Sequence, residues 1–401
     1  MKMKNVSGYK AGPKGFLFSS VEAAIKKLGR KDITLIYSEK EATMSGVFTT
    51  NKVKAAPVRI DMNRILSGRG QAIIANSGNA NACSGKQGLK DAREMAKLVA
   101  KELKLSQGSV YVCSTGVIGM PMPMDRVRAK IPELVAGLGQ GTLSDAAVAI
   151  MTTDTFPKIV SRNVKAGGRQ GTVTGICKGA GMICPNLATM LCFLMTDLAV
   201  ERRALAGALK WAVENSFNRI TVDGDMSTND TVLLMANGLA GNEMIRRGSA
   251  SFAAFSSALS SVAEELSSLI VKDGEGASKF ITIVVRNAKS RKDATEAAFA
   301  IARSTLVKTA IYGNDANWGR IMAALGYSGV SINEGKTDIY FDKVKVASNG
   351  ISTGRDKEAT TILKQKEIKI VVDLHVGSAS SKILTCDLTE EYVRINAEYR
   401  T

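Results

Sequence analysis

The 401 residues contain a single histidine, His375, and that count narrows the catalytic options. His375 sits between the apolar run IVVDL and VGS, the setting of a strand end. With it set aside, neither a Ser-His-Asp nor a Cys-His device can be assembled, and the count also excludes a histidine-rich zinc site. A nucleophile must then be activated by another route. A Ser, Thr or Cys that becomes the first residue of a chain carries its own base, because the free α-amino group accepts the proton. An α-amine pKa of about 7.7–8.0 suits a base working near neutral pH. The segment KGAGMICPNLATMLCFLMTD, residues 178 to 197, holds a hydroxyl residue that chain cleavage would expose. Gly179, Gly181 and Pro185 make an irregular approach, Ala188 is small, and Thr189 opens an apolar run. On pattern alone, a Gly-rich loop entering a buried strand is the commoner meaning.

Elements able to position such a residue are spread along the whole chain. Leu89, Ala92, Met95, Ala96, Val99 and Leu103 recur at helical spacing with charges opposite, and predict a helix. Further helices are predicted over 200–215, 249–272 and 293–307, the last presenting Ala297, Ala298, Ile301, Ala302 and Leu306 on one face. Short apolar runs beside Gly, Asn or Asp predict strands at 71–76, 110–116 and 279–285, with a late strand pair at 369–374 and 382–388. Interspersed helices and strands make the class α/β; strand order is not legible from single-sequence pattern. No fixed-period repeat and no long Pro- or Ser-rich linker occurs.

Length allows a substantial core in about two domains or one large layered unit. Apolar residues at 45% and charged residues at 23% are ordinary for a globular enzyme. Lys and Arg number 54 against 37 Asp and Glu, a net +17 that attracts anions. The cations are scattered, without a run of five, so a basic surface serving acidic small molecules is favoured over a nucleic-acid binder. The six cysteines, Cys83, Cys113, Cys177, Cys184, Cys192 and Cys386, form no C-x-x-C pair and read as buried reduced thiols. The start MKMKNVSGYKAGPKG lacks an apolar signal core, and no stretch approaches ~20 consecutive apolar residues, so a cytosolic protein away from membranes is expected.

The segment KGAGMICPNLATML resembles the cleavage and nucleophile segment of the ornithine acetyltransferase family. Further family-like segments follow in order over nearly the whole chain: NSGNANACSG at 76–85, CSTGVIG at 113–119, AIMTTDTFPK at 149–158, DGDMSTND at 223–230, KDGEGASK at 272–279, YGNDANWGR at 312–320 and NAEYRT at 396–401. Cys184 departs from the small or polar residue usual before the Pro, several residues ahead of the scissile bond. The resemblance implies self-cleavage between Ala188 and Thr189, giving an α chain, 1–188, and a β chain, 189–401, assembled as at least a heterotetramer. It implies a layered α/β/β/α sandwich like that of self-cleaving aminopeptidases.

By the same resemblance Thr189 is the nucleophile, while the Thr115 hydroxyl and Gly116 N–H are oxyanion donors. Thr152, Lys178, Thr189, Glu275, Asn396 and Thr401 are the implied substrate contacts. Lys178 offers a cation for carboxylate and Glu275 an anion for ammonium. Thr153 competes with Thr152, and Lys178 with Glu275 reads equally as a loop surface pair. NSGNANACSG and GNDANWGR read as structured turns, since Asn and Gly tolerate positive φ. The implied reaction is ping-pong acetyl transfer from N-acetylornithine to glutamate in arginine biosynthesis. No cofactor or metal is implied; acetyl-CoA is a co-substrate in some members. A self-processed hydrolase on the same scaffold is the alternative, and a basic nucleic-acid binder the remote one.

Overall fold

A computed structural model of the chain describes residues 12–26, 28–184 and 190–398. Ala188, Thr189 and Thr401 lie outside the described residues. Two compact units are present, residues 1–179, 186–218 and 226–270 in the first and 180–185, 219–225 and 271–401 in the second.

The described strands of the first unit are β1 (Phe16–Val21), β2 (Ile33–Phe48), β3 (Arg69–Asn79), β4 (Val110–Val117), β5 (Lys158–Ala166), β6 (Arg169–Lys178), β7 (Leu191–Thr196) and β8 (Thr231–Ala236). Its helices are α1 (Ala56–Arg64), α2 (Gly85–Leu103), α3 (Met124–Ala136), α4 (Leu143–Ala149), α5 (Arg202–Asn215) and α6 (Ala250–Lys272), the last ending just past the unit boundary. The strands form one mixed sheet in the order β4-β3-β2-β8-β7-β6-β5, with β1 also on β2. β3 with β4 and β7 with β8 are parallel. β2 belongs to both halves, pairing with β3 from Ile33 and with β8 from Thr43, and its register on β3 shifts between Tyr37 and Ala42.

Alternation along the strands makes the layers. Ile36, Ile73, Ala75, Tyr111 and Cys113 from one half meet Ile176, Phe193, Met195, Leu233 and Met235 from the other in a single buried core. The opposite residues of the first half, Ile33, Leu35, Ala72, Ile74, Val110 and Val112, pack on Ala92, Met95 and Val99 of α2 and Val127 and Ile131 of α3. Across the other half, α5 packs on β2 and β8. Gly175 of β6 leaves room for Val262 and Leu266 of α6, since a Cβ there would come within 2.7 Å of Leu266. The first unit is therefore the expected α/β/β/α sandwich.

The second unit holds β9 (Phe280–Ala288), β10 (Asp338–Phe341), β11 (Val344–Ser348), β12 (Ile351–Ser352), β13 (Glu367–Asp373) and β14 (Ala379–Cys386) in the order β12-β11-β10-β13-β9-β14. Helices α7 (Arg291–Arg303), α8 (Thr305–Tyr312), α9 (Trp318–Gly326), α10 (Asp356–Leu363) and α11 (Glu390–Ala397) accompany it. Ile281, Ile283 and Val285 of β9 pack with Ala294, Ala297, Ala298 and Ile301 of α7.

Two expectations are corrected here. The helix predicted over 293–307 is two helices, because Ser304 ends α7 and its hydroxyl caps α8 by accepting from Val307 N. Leu306 consequently faces solvent, 61% exposed. The late strands, β13 and β14, do not pair with each other: β9 lies between them, parallel to β13 and antiparallel to β14. Among the described residues no helix is long and apolar enough to cross a membrane.

Candidate active site

Lys178 ends β6 and pairs with Leu191, the first residue of β7, in an antiparallel register. Residues 179–190 are thus the connection between two neighbouring strands, and in sequence Thr189 is two positions before Leu191. Lys178 is buried, and its Nζ lies 3.4 Å from Thr115 Oγ1 on β4. An ammonium only donates, so it occupies a lone pair of the Thr115 oxygen and leaves the hydroxyl hydrogen to point elsewhere.

The Thr115–Gly116 turn is shaped by backbone against backbone. Gly116 has φ +133°, and a Cβ on it would lie 2.3 Å from the Gly78 carbonyl carbon. Only glycine fits there. Opposite it the β3–β4 register is irregular at Gly78 and Asn79. The NSGNANACSG segment clamps this irregularity with buried amides. Asn76 accepts from Ser114 Oγ at 2.6 Å and donates to Asn79 O at 2.9 Å. Asn79 donates to Met120 O and Pro121 O at 3.1 and 3.0 Å, and Asn81 to Gly88 O at 2.9 Å. From β8's approach, Asn229 donates to Ala80 O and Ser114 O at 2.6 and 2.8 Å. Asn81 and Cys83 take φ +47° and +55°, in keeping with a structured turn.

Thr152 stands in the turn after α4, where its N–H donates to Asp154 Oδ2 at 3.0 Å. Asp154 is the hub. It accepts from Lys158 Nζ at 2.7 Å and from Gly179 N at 2.7 Å, so one buried carboxylate ties the Thr152 turn to the residue after Lys178. Burial alone would raise its carboxyl, yet the ammonium groups of Lys158 and Lys178 and the Gly179 N–H hold it well below the usual carboxylate range. Lys26 donates to Met151 O, and burial together with the Lys178 charge pushes its ammonium down to about 8. Neither Asp154 nor Lys26 was singled out in the sequence. The Asp-x-x-x-Lys spacing inside TTDTFPK was the available signal for the first.

In the second unit, Glu275 and Asn396 are brought together: Asn396 Nδ2 donates to Glu275 Oε2 at 2.8 Å. Glu275 N donates to Ala180 O at 2.9 Å, and a Cβ on Gly181 would lie 2.3 Å from the Glu275 carboxylate. The chain approaching the expected cleavage point is therefore packed on that carboxylate. Asp223 secures the next two residues, accepting from Met182 N at 2.5 Å and Ile183 N at 2.8 Å.

His375 is half-exposed at the end of β13, with Nε2 3.3 Å from Asp338 and Nδ1 3.5 Å from Asp373, well suited to holding a strand end. All six cysteines are free; five are buried as expected and Cys83 is exposed, because its positive-φ turn carries it to the surface before α2. Among the described residues no His, Cys, Asp and Glu group is arranged to hold a metal ion.

Arginine biosynthesis bifunctional protein ArgJ of Geobacter sulfurreducens is 54% identical over 97% of this chain and 99% of its own length. Glutamate N-acetyltransferase of Methanocaldococcus jannaschii is 46% identical over the whole of both chains. The crystal structure of arginine biosynthesis bifunctional protein ArgJ from Bacillus halodurans aligns with a TM-score of 0.50 at 46% identity, covering 51% of this chain and 97% of that one. Residues 17–401 match the ArgJ family, and the chain belongs to it.

Proposed function

We propose that the chain cleaves itself between Ala188 and Thr189 and then carries acetyl groups on Thr189, from N-acetylornithine to glutamate. As a member of the ArgJ family it is an acetyltransferase of arginine biosynthesis. Thr189 Oγ attacks the acetyl carbonyl while the residue's own α-amine takes the hydroxyl proton. The tetrahedral oxyanion is met by the Thr115 hydroxyl and the Gly116 N–H, and its collapse expels ornithine, which leaves with the proton. Glutamate's amine then attacks the acetyl ester by the same path in reverse. No cofactor is needed for this exchange, and acetyl-CoA would serve as an alternative donor to the same ester.

Lys178, Thr152, Glu275, Asn396 and Thr401 are assigned to substrate by resemblance. The mature enzyme is, in this account, an α chain and a β chain in at least a heterotetramer, working in the cytoplasm. Half of this chain spans nearly all of the solved Bacillus halodurans chain, which supports a two-chain product. The observation that carries the proposal is the Lys178–Leu191 register, which pairs the strands on either side of residues 179–190, with Lys178 itself 3.4 Å from the Thr115 hydroxyl. Intact mass and N-terminal sequencing of purified protein test it. Two equimolar fragments are expected, the second beginning at Thr189, with Thr189→Ala left in one piece. An uncleaved chain with full activity would refute it.

A further inference from the structure

Lys26 lies half-buried in the connection between β1 and β2, and its side chain reaches the residues grouped around Lys178. Its backbone is fixed, because the N–H groups of Ala23, Ile25 and Lys26 all donate to the buried Asp32 carboxylate, at 2.7, 2.6 and 3.0 Å. The side chain then runs over Gly78, the residue that backs Gly116: a Cβ on Gly78 would lie 2.7 Å from Lys26 Cγ. Its Nζ ends on the Met151 carbonyl, one residue before Thr152, whose N–H is held by Asp154. Lys26 is thus bracketed by the Thr115–Gly116 turn and the Thr152 turn. The charges there favour a further anion. Asp154 already accepts from Lys158 Nζ and from the Gly179 and Thr152 N–H groups, and Asp32 is occupied by backbone. The described partner of the Lys26 ammonium is a neutral carbonyl. Burial and the Lys178 charge bring it down to about 8, with Arg30 pulling the same way and Asp32 and Asp154 opposing, so it is still mostly charged at neutral pH. Two repelling ammonium groups in a partly buried setting stabilise an anion that comes between them.

We infer that Lys26 is a second cation of the substrate pocket, binding together with Lys178 the α-carboxylate that N-acetylornithine and glutamate share. The role rests on the acetyl-transfer reading above and deepens it. Only the α-carbon separates this carboxylate from the reacting nitrogen, so it must lie close to the Thr115 hydroxyl, where Lys178 Nζ already sits at 3.4 Å. The two substrates carry opposite charges on their side chains, an ammonium on ornithine and a carboxylate on glutamate. A cation that serves both has to meet the group they have in common. An ammonium has three N–H donors, and with one given to Met151 O, Lys26 keeps donors for a carboxylate oxygen.

Acetyl transfer to glutamate from N-acetylornithine and from its α-carboxamide, which lacks the carboxylate, tests the inference in the purified enzyme. In ping-pong kinetics kcat/KM for the donor does not depend on the acceptor, so the acid-over-amide ratio isolates the carboxylate. One charge-assisted hydrogen bond is worth about 10- to 100-fold, so Lys26→Met should shrink that ratio by about this factor. Lys26→Gln keeps an N–H donor but no charge and should also shrink it; this variant carries the test if Lys26→Met departs from the wild-type circular dichroism. A loss that falls equally on acid and amide, leaving the ratio unchanged, overturns the role of Lys26 while the transfer reading stands. A wild-type enzyme that moves no acetyl group from N-acetylornithine to glutamate overturns that reading, and the Lys26 assignment with it.

Discussion

Asp154→Asn removes the charge at the hub of the first unit while nearly conserving shape. Asp154 and Lys158 both have side chains 0% exposed and meet at 2.7 Å. Breaking a buried pair from one side leaves an uncompensated charge, a loss of about 3–5 kcal/mol. A domain of this size loses roughly 2–4 °C in Tm per kcal/mol, which gives a fall of roughly 6–20 °C. The double variant Asp154→Asn, Lys158→Met removes both charges of the pair and should recover part of that, since the Lys158 ammonium is no longer stranded, while Lys178 still loses the nearby carboxylate. The pH dependence has a definite sign. Because the folded-state pKa is depressed, the stabilisation is present above the unfolded value of about 3.9 and is lost as pH falls through the folded value. Thermal unfolding of wild type, the two single variants Asp154→Asn and Lys158→Met, and the double variant between pH 7 and pH 3 measures the coupling and the onset of the pH dependence. A single variant within about 1 kcal/mol of wild type, with strictly additive effects in the double, would refute the hub assignment.

Other residues give sharper functional readouts. Thr115→Val keeps volume and branching but deletes the hydroxyl, so both half-reactions should slow by roughly 10- to 1000-fold with KM nearly unchanged, measured by rapid quench. Lys178→Met should raise KM for both N-acetylornithine and glutamate in steady-state assays; unchanged kinetics would remove Lys178 from the pocket. Gly181→Ala forces a Cβ to within 2.3 Å of the Glu275 carboxylate, so intact mass should show slower cleavage than wild type, with Ser at the same position no better.

The local elements were legible in the sequence because their signals are local. The periodicity of Leu89 to Leu103 and the run at 110–116 became α2 and β4, and both faces fell where alternation put them. The break at Ser304 was missed because an apolar face continues in register across it, while a serine hydroxyl decides where the backbone turns. The partner of β13 was missed since parallel pairing with β9 joins residues almost 90 positions apart. In the site, residue types with evident chemistry such as Lys178 and Glu275 stood out. Asp154, Asp223 and Asp230 did not, because their work is to hold backbone N–H groups at Gly179, Ile183 and Met190, and such bonds leave no mark in the sequence of the residue held. The asparagines of NSGNANACSG could be read as turn formers, but not as the clamp on Ser114.

The most direct test of acetyl transfer through Thr189 is the mass of the β chain after mixing with N-acetylornithine alone, then with glutamate. One acetyl group should appear on the peptide that begins at Thr189, and glutamate should discharge it to N-acetylglutamate far faster than water does, since a bound amine gains the advantage of proximity. Discharge at the same rate without glutamate would contradict the account and make the protein a hydrolase.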